Sequence, residues 1–115
     1  RNTHWVLAVI DNAEREVLVY DSFHDPHAEI AGTIARFARD YAHEKGMPEE
    51  YAVAVPDGVP RQKNGVDCGA FVCKFADCLS LGVPMDFRQR DLPRVREQIV
   101  AQVALKKLIV PRYGR

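Results

Sequence analysis

The segment Pro60-Arg61-Gln62-Lys63-Asn64-Gly65-Val66-Asp67-Cys68-Gly69-Ala70-Phe71-Val72-Cys73 constrains the fold more than any other part of the chain. Pro60 and Asn64-Gly65 punctuate an irregular loop. Asp67 is placed as the N-cap of a helix that follows at once. From there Cys68, Phe71, Val72, Phe75, Ala76 and Leu79 recur at helical spacing, so this stripe is expected to face the core. The helix then carries Cys68 to the interior edge of the domain in its first turn. A thiol at a helix N-terminus lies among unpaired N–H groups at the positive end of the macrodipole. That setting favours the thiolate, the nucleophilic form of cysteine. Most cysteines are nonetheless small buried hydrophobes, and Cys73 and Cys78 are read that way. For Cys68, taken alone, catalysis and packing both stand open.

A chain of 115 residues with 47% hydrophobic side chains holds one domain at most, with ample material for a core. Sixteen basic and sixteen acidic side chains cancel, and no block of like charge occurs, which argues against a nucleic-acid or membrane-surface role. The longest apolar run, Trp5 to Ile10, is too short to span a bilayer. Three cysteines make no disulfide framework and point to a reducing compartment, nucleus or cytoplasm. They also make a poor zinc site. Five residues apart on one helix, they point about 140° apart in turn and cannot converge on one ion. No metal or cofactor is expected.

In chain order, His4 to Ile10 reads as a buried strand and Glu16 to Asp21 as an alternating one. Asp11-Asn12-Ala13-Glu14 is the turn between them. A symmetric turn centred between Asn12 and Ala13 sets Val6 opposite Val19, Leu7 opposite Leu18, Trp5 opposite Tyr20 and His4 opposite Asp21. Side chains so opposed lie roughly 4.5–5.5 Å apart at Cβ, close enough for a carboxylate to hold an imidazole. Singly, the two residues are bland. As a pair they match a base and its orienter, which a nucleophilic cysteine requires. Asp25-Pro26 opens a helix with Asp25 as N-cap and Ile30, Ile34, Phe37 and Tyr41 as its apolar stripe, closed by Gly46. His24, His27 and His43, in or beside it, read as surface residues. Tyr51 to Val55 is a third strand. The Cys68 helix stops at Gly82, and Asp91 and Pro93 start a last helix with Leu92, Val95, Ile99 and Val103 on its apolar face. Lys106 to Arg115 reads as a fraying tail. The element order indicates an α+β domain.

His4-Trp5, Tyr20-Asp21-Ser22, and Gln62 through Asn64-Gly65-x-Asp67-Cys68-Gly69 stand in that order in one chain. Phe71-Val72-Cys73-Lys74, Ala76-Asp77-Cys78 and Phe87-x-Gln89-x-Asp91-Leu92-Pro93-x-x-Arg96 extend the pattern. The set resembles the ubiquitin-like-protein proteases, cysteine proteases that process and remove SUMO and related modifiers. The resemblance implies a papain-like architecture, with a β-hairpin and a short strand packed with three helices. It makes Cys68 the nucleophile, His4 the general base, Asp21 its orienter and Gln62 an oxyanion donor beside the Cys68 N–H. It makes Trp5 a wall of the narrow channel for the substrate's Gly-Gly tail, although strand alternation serves a core role for Trp5 equally well. Arg61 departs from the family, which usually has a second glutamine there.

The resemblance further implies that residues 1–115 are the C-terminal part of the catalytic domain, because the family has a comparable length, with another channel tryptophan, before the catalytic histidine. Both faces of the first strand are apolar and expect neighbours. The helices named above are expected to cover one face and leave the other bare, so that the chain alone is poorly stable. The partner implied is SUMO or a related modifier. Two other readings are an acyltransferase of similar fold and triad, for which no CoA site is legible, and a non-catalytic fragment that only binds a modifier.

Overall fold

Val17, Leu18, Val19 and Tyr20 are all buried, and they alternate between two apolar layers. This double burial makes their strand the centre of the molecule. The computed structural model describes residues 4–108. It contains β1 (Leu7–Asp11), β2 (Glu16–Tyr20), α1 (Ala28–Glu44), β3 (Ala52–Val53), α2 (Cys68–Leu81), a 3₁₀ turn at Gln89–Asp91 and α3 (Leu92–Leu105). The sheet runs β1-β2-β3, antiparallel between β1 and β2 and parallel between β2 and β3. Helix α1 is thus the crossover that a parallel pair requires.

One layer joins Leu18 and Tyr20 to Phe71, Phe75, Cys78, Phe87, Leu92 and Val95. Phe71, Phe75 and Phe87 form a triangle of ring pairs with centroids 5.8–6.0 Å apart. The other layer packs Val17 and Val19 on Ala31, Ala35, Ala38 and Ala42 of α1. Both faces of β2 are therefore covered, whereas in β1 Leu7 and Val9 pack on one layer and Ala8 and Ile10 stay exposed, as expected of the first strand's second face. The architecture is the expected α+β domain of a hairpin, a short strand and three helices.

The hairpin register differs from expectation. Leu7 pairs with Tyr20, Ala8 with Val19 and Val9 with Leu18, a shift of two residues. The loop is Asn12–Arg15, because the Asp11 carboxylate accepts the N–H groups of Ala13 and Glu14 and Arg15 closes the turn at a φ of 56°. An even shift leaves every side chain on its expected face.

Helix α1 corrects the sequence reading more sharply. Its alanine face is buried, whereas Ile30, Phe37 and Tyr41 of the expected stripe are exposed. The N-cap residue is His27, and Asp25 accepts the His27 N–H instead of capping the helix. At the other end Gly46, at a φ of 67°, permits a Schellman closure in which the Met47 N–H reaches the Ala42 carbonyl. In α2, Cys78 is buried as expected, but Ala76, Leu79 and Cys73 face outward. In α3, Leu92 and Val95 are buried and Val103 is exposed. The tail beyond Leu108, expected to fray, lies outside the described residues.

Replacing Phe75, which has no exposed surface, by alanine is expected to cost about 3–5 kcal/mol. Phe37→Ala, at an exposed position, should change stability by no more than about 0.5 kcal/mol. Urea titrations of the two variants check the assignment of core and surface.

Candidate active site

The two strands end where the chemistry begins. His4 Nε2 lies 2.7 Å from Asp21 Oδ1, and the Asp21 side chain is almost wholly buried. The register shift removes direct opposition, yet the even parity keeps both residues on one face and the pair forms. Phe23 seats the His4 ring, with centroids 4.8 Å apart, and its N–H donates to the same Asp21 oxygen at 2.8 Å. Burial acts to raise the Asp21 pKa, but the Phe23 N–H, His4 and His27 together hold it below the ordinary carboxylate value. Asp21 is therefore an ionised acceptor, so Nε2 of His4 carries the proton and Nδ1 is left to accept one. Its second oxygen, Oδ2, takes Nε2 of His27 at 2.7 Å. His27 is thus no surface residue.

Gln62 is brought to this corner by a double latch. Its backbone N–H donates to the Ser22 carbonyl at 2.8 Å, and its side-chain Oε1 accepts from Ser22 Oγ at 2.6 Å. The Gln62 NH₂ group donates to the Asn64 carbonyl at 2.7 Å and, more weakly, to Asn64 Oδ1 at 3.3 Å. The amide is buried and fully engaged. Arg61, next to it, donates to His24 Nδ1 at 3.1 Å, while His24 Nε2 donates to the Val59 carbonyl at 2.8 Å.

Cys68 opens α2, as the loop-to-helix signals require, and is buried to 8% exposure. Asp67 holds the N-cap position and its carbonyl accepts the Phe71 N–H, but its side chain does not cap. The Asp67 carboxylate instead takes Asn64 Nδ2 at 2.8 Å, Gln89 Nε2 at 2.9 Å and Arg96 Nε at 2.7 Å. Gln89 Oε1 accepts the Lys63 N–H, and Arg96 also donates to the Val66 carbonyl. One carboxylate therefore ties the loop before the nucleophile to the 3₁₀ turn and to α3. The Asn64 amide, with Arg96 and Gln89 behind it, outweighs burial and keeps the Asp67 pKa low.

Trp5 is 61% exposed and does not join the core. It shares an open groove with Cys68, Gly69, Cys73, Ile99 and Val100. His4, Asp21 and Gln62 thus gather at the end of the sheet, and Trp5 and Cys68 meet across the groove. Among the described residues His4 bonds to Asp21 and not to Cys68, a contact that in such sites tightens when substrate is bound. Cys78 is inert by environment, since burial pushes its thiol pKa up. Among the described residues, one group has metal-ligand spacing, Asp21, Asp25 and His27, and it includes none of the cysteines.

Residues 1–107 match the Ulp1 protease family, C-terminal catalytic domain. The chain belongs to that family. Sentrin-specific protease 5 of Homo sapiens is 34% identical over 109 residues, covering 92% of this chain and 14% of its own length. Ubiquitin-like-specific protease ESD4 of Arabidopsis thaliana is 33% identical over 107 residues, covering 90% of this chain and 22% of its own. Among solved structures, one of the SUMO protease Ulp1 with the catalytic cysteine oxidized to a sulfonic acid superposes with a TM-score of 0.75 at 28% identity. It covers 92% of this chain and 50% of that one. The chain therefore spans half of the solved family member and less than a quarter of these two relatives.

Sequence reasoning missed the residues that hold the site residues: Ser22 on Gln62, His27 on Asp21, and Gln89 with Arg96 on Asp67. Gln89 and Arg96 stood within the family's closing segment, but no local pattern says that a helix arginine reaches a buried carboxylate in another element.

A depressed native pKa means that Asp67 contributes stability above its ordinary value of 3.8. That contribution is lost as pH falls through the lower native value. Asp67→Asn should destabilise the chain at neutral pH, and the gap to the parent should close in strong acid. Denaturant melts at the two pH values check this.

Proposed function

We propose that this chain is the C-terminal part of a catalytic domain that hydrolyses peptide or isopeptide bonds after the Gly-Gly tail of SUMO or a related ubiquitin-like modifier. The observation that carries the reading is the 2.7 Å bond between His4 Nε2 and Asp21 at the end of the sheet, with Cys68 opening the neighbouring helix beside Trp5. Family membership supports it, and so does the oxidised catalytic cysteine named in the structurally similar Ulp1 protease.

In this reading Cys68 Sγ attacks the carbonyl carbon of the terminal glycine, and Nδ1 of His4 handles the thiol proton. The tetrahedral oxyanion is met by the Cys68 N–H, unpaired at the start of α2, and by the Gln62 amide. The longer of the Gln62 contacts to Asn64 is the one that yields. His4, now protonated, gives its proton to the leaving amine as the C–N bond breaks. A thioester between Cys68 and the modifier remains. Water, deprotonated by the same ring, then cleaves it and restores the thiol. Asp21 holds the ring and balances its charge throughout. Trp5 lines the approach to Cys68, where a tail of glycines passes because a Cβ would meet the aromatic wall. Three free cysteines suit a reducing compartment such as nucleus or cytoplasm.

Trp5, Val66 and Val100 expose apolar surface around the groove, which supports a site completed by the part of the domain that the relatives carry and this chain does not span. The chain alone is expected to turn over little substrate. A modifier bearing a C-terminal electrophile should be captured covalently at Cys68 in the full-length protein. Cys68→Ser should abolish cleavage while modifier binding persists. Cys73→Ser and Cys78→Ser should retain turnover. Reversible binding without capture would leave only a modifier-binding role.

A further inference from the structure

Asp21 grips two histidines, one on each oxygen. Oδ1 accepts from His4 Nε2 and from the Phe23 N–H, and Oδ2 accepts from His27 Nε2 at 2.7 Å. His27 comes from the N-cap of α1, with its side chain 21% exposed and the Asp21 side chain 2% exposed. Its backbone stands at φ 49° and ψ 52°, a left-handed conformation that histidine seldom adopts. Asp25 Oδ1 holds that geometry by accepting the His27 N–H at 3.0 Å, and the His27 carbonyl accepts the Ala31 N–H at 3.0 Å. The loop is thus bent so that the ring turns back to the carboxylate, away from solvent.

We propose that His27 is a positioning residue for the catalytic pair: it locks the carboxylate plane of Asp21 and thereby the tautomer and direction of the His4 ring. A carboxylate bonded through one oxygen alone can rotate and exchange its oxygens. With Oδ2 occupied, rotation breaks a second charge-assisted bond inside a buried pocket, and such bonds are the strong ones. Ser22, the residue after Asp21, is meanwhile fastened to Gln62, so both ends of the corner are fixed. His27 touches neither substrate nor thiol and acts only through Asp21.

The proposal rests on the reading of Cys68, His4 and Asp21 as a triad, and its test separates the two. Ring ¹⁵N NMR of the 115-residue chain reports the His4 tautomer without any turnover. The parent should show His4 protonated at Nε2. His27→Leu, which fills the volume and removes the donor, should give a mixture of tautomers. His27→Gln, whose amide reaches about as far as Nε2, should restore the parent signal. In the full-length protein, His27→Leu should lower kcat by about tenfold to a hundredfold, as small misplacements of catalytic groups do. KM should stay within about twofold, and His27→Gln should recover most of the rate. An unchanged His4 tautomer in His27→Leu overturns the proposal. So does an equal loss in the Leu and Gln variants, or a lowered Tm with kcat intact in the folded fraction. Absence of proteolysis in the parent would count against the protease reading and leave the tautomer measurement to decide the role of His27.

Discussion

Burial of β2 on both faces is the constraint from which the rest follows. With Val17 and Val19 turned to one layer and Leu18 and Tyr20 to the other, the strand has no face free for a charged group between Glu16, where it begins, and Asp21, just past its end. A register error of one residue would exchange the two apolar rows, setting Leu18 and Tyr20 against the alanines of α1 and Val17 and Val19 against the phenylalanines of α2. The same alternation assigns Val17 and Val19 to the α1 side, and the chain entering α1 is where His27 originates. The opposite side receives Phe71 and Phe75 of α2, the helix that Cys68 opens. One five-residue strand thus separates the layers whose ends meet at the site.

The buried polar groups of that corner are few, and each is answered. Among the described residues, Asp21, Ser22, Gln62 and Asp67 are the buried polar ones, and no buried side-chain nitrogen or oxygen lacks a partner. Each carboxylate has several donors, so neither is an isolated charge in a low-dielectric interior. The division of labour is clear from the partners. Asp21 gathers imidazoles, side chains that can both give and take a proton. Asp67 gathers amides and a guanidinium, which cannot, and so it serves as a fixed tie between elements.

Local chemistry made part of this legible in sequence. Cys68 at a helix start follows from Pro60, Asn64-Gly65 and Asp67. The His4–Asp21 pair follows from parity, which survives an even register error. The register itself depends on Arg15 adopting a positive φ and on the Asp11 carboxylate capping the turn, neither of which composition announces. Helix α1 carries two stripes at helical spacing, one of alanines and one of large apolar residues. Hydrophobicity selects the second, whereas close approach to a sheet selects the first. His27 was illegible because a histidine at a helix start resembles any solvated residue. Its partner comes from another element, and its backbone geometry is unusual.

Helix α1 meets the sheet mainly through alanines, with Ile34 packed partly against them, which makes the contact a close one. At positions 31, 35 and 42 the neighbours of each methyl group are already within an interior packed to the density of a crystal. A leucine at position 31, 35 or 42 would have to displace these neighbours, and such overpacking costs typically about 1–3 kcal/mol, whereas Ala38 borders an open pocket beside Phe37 and Tyr51. The displacement would not stop at the substituted turn, because a helix moves as a rod and the near end of this one carries His27. A side chain enlarged at position 42, some twenty ångströms along the axis at about 1.5 Å per residue, would act as a lever on the carboxylate that holds His4. The seam between α1 and the sheet is therefore where conservative-looking substitutions, remote from Cys68, would disturb the geometry of the site.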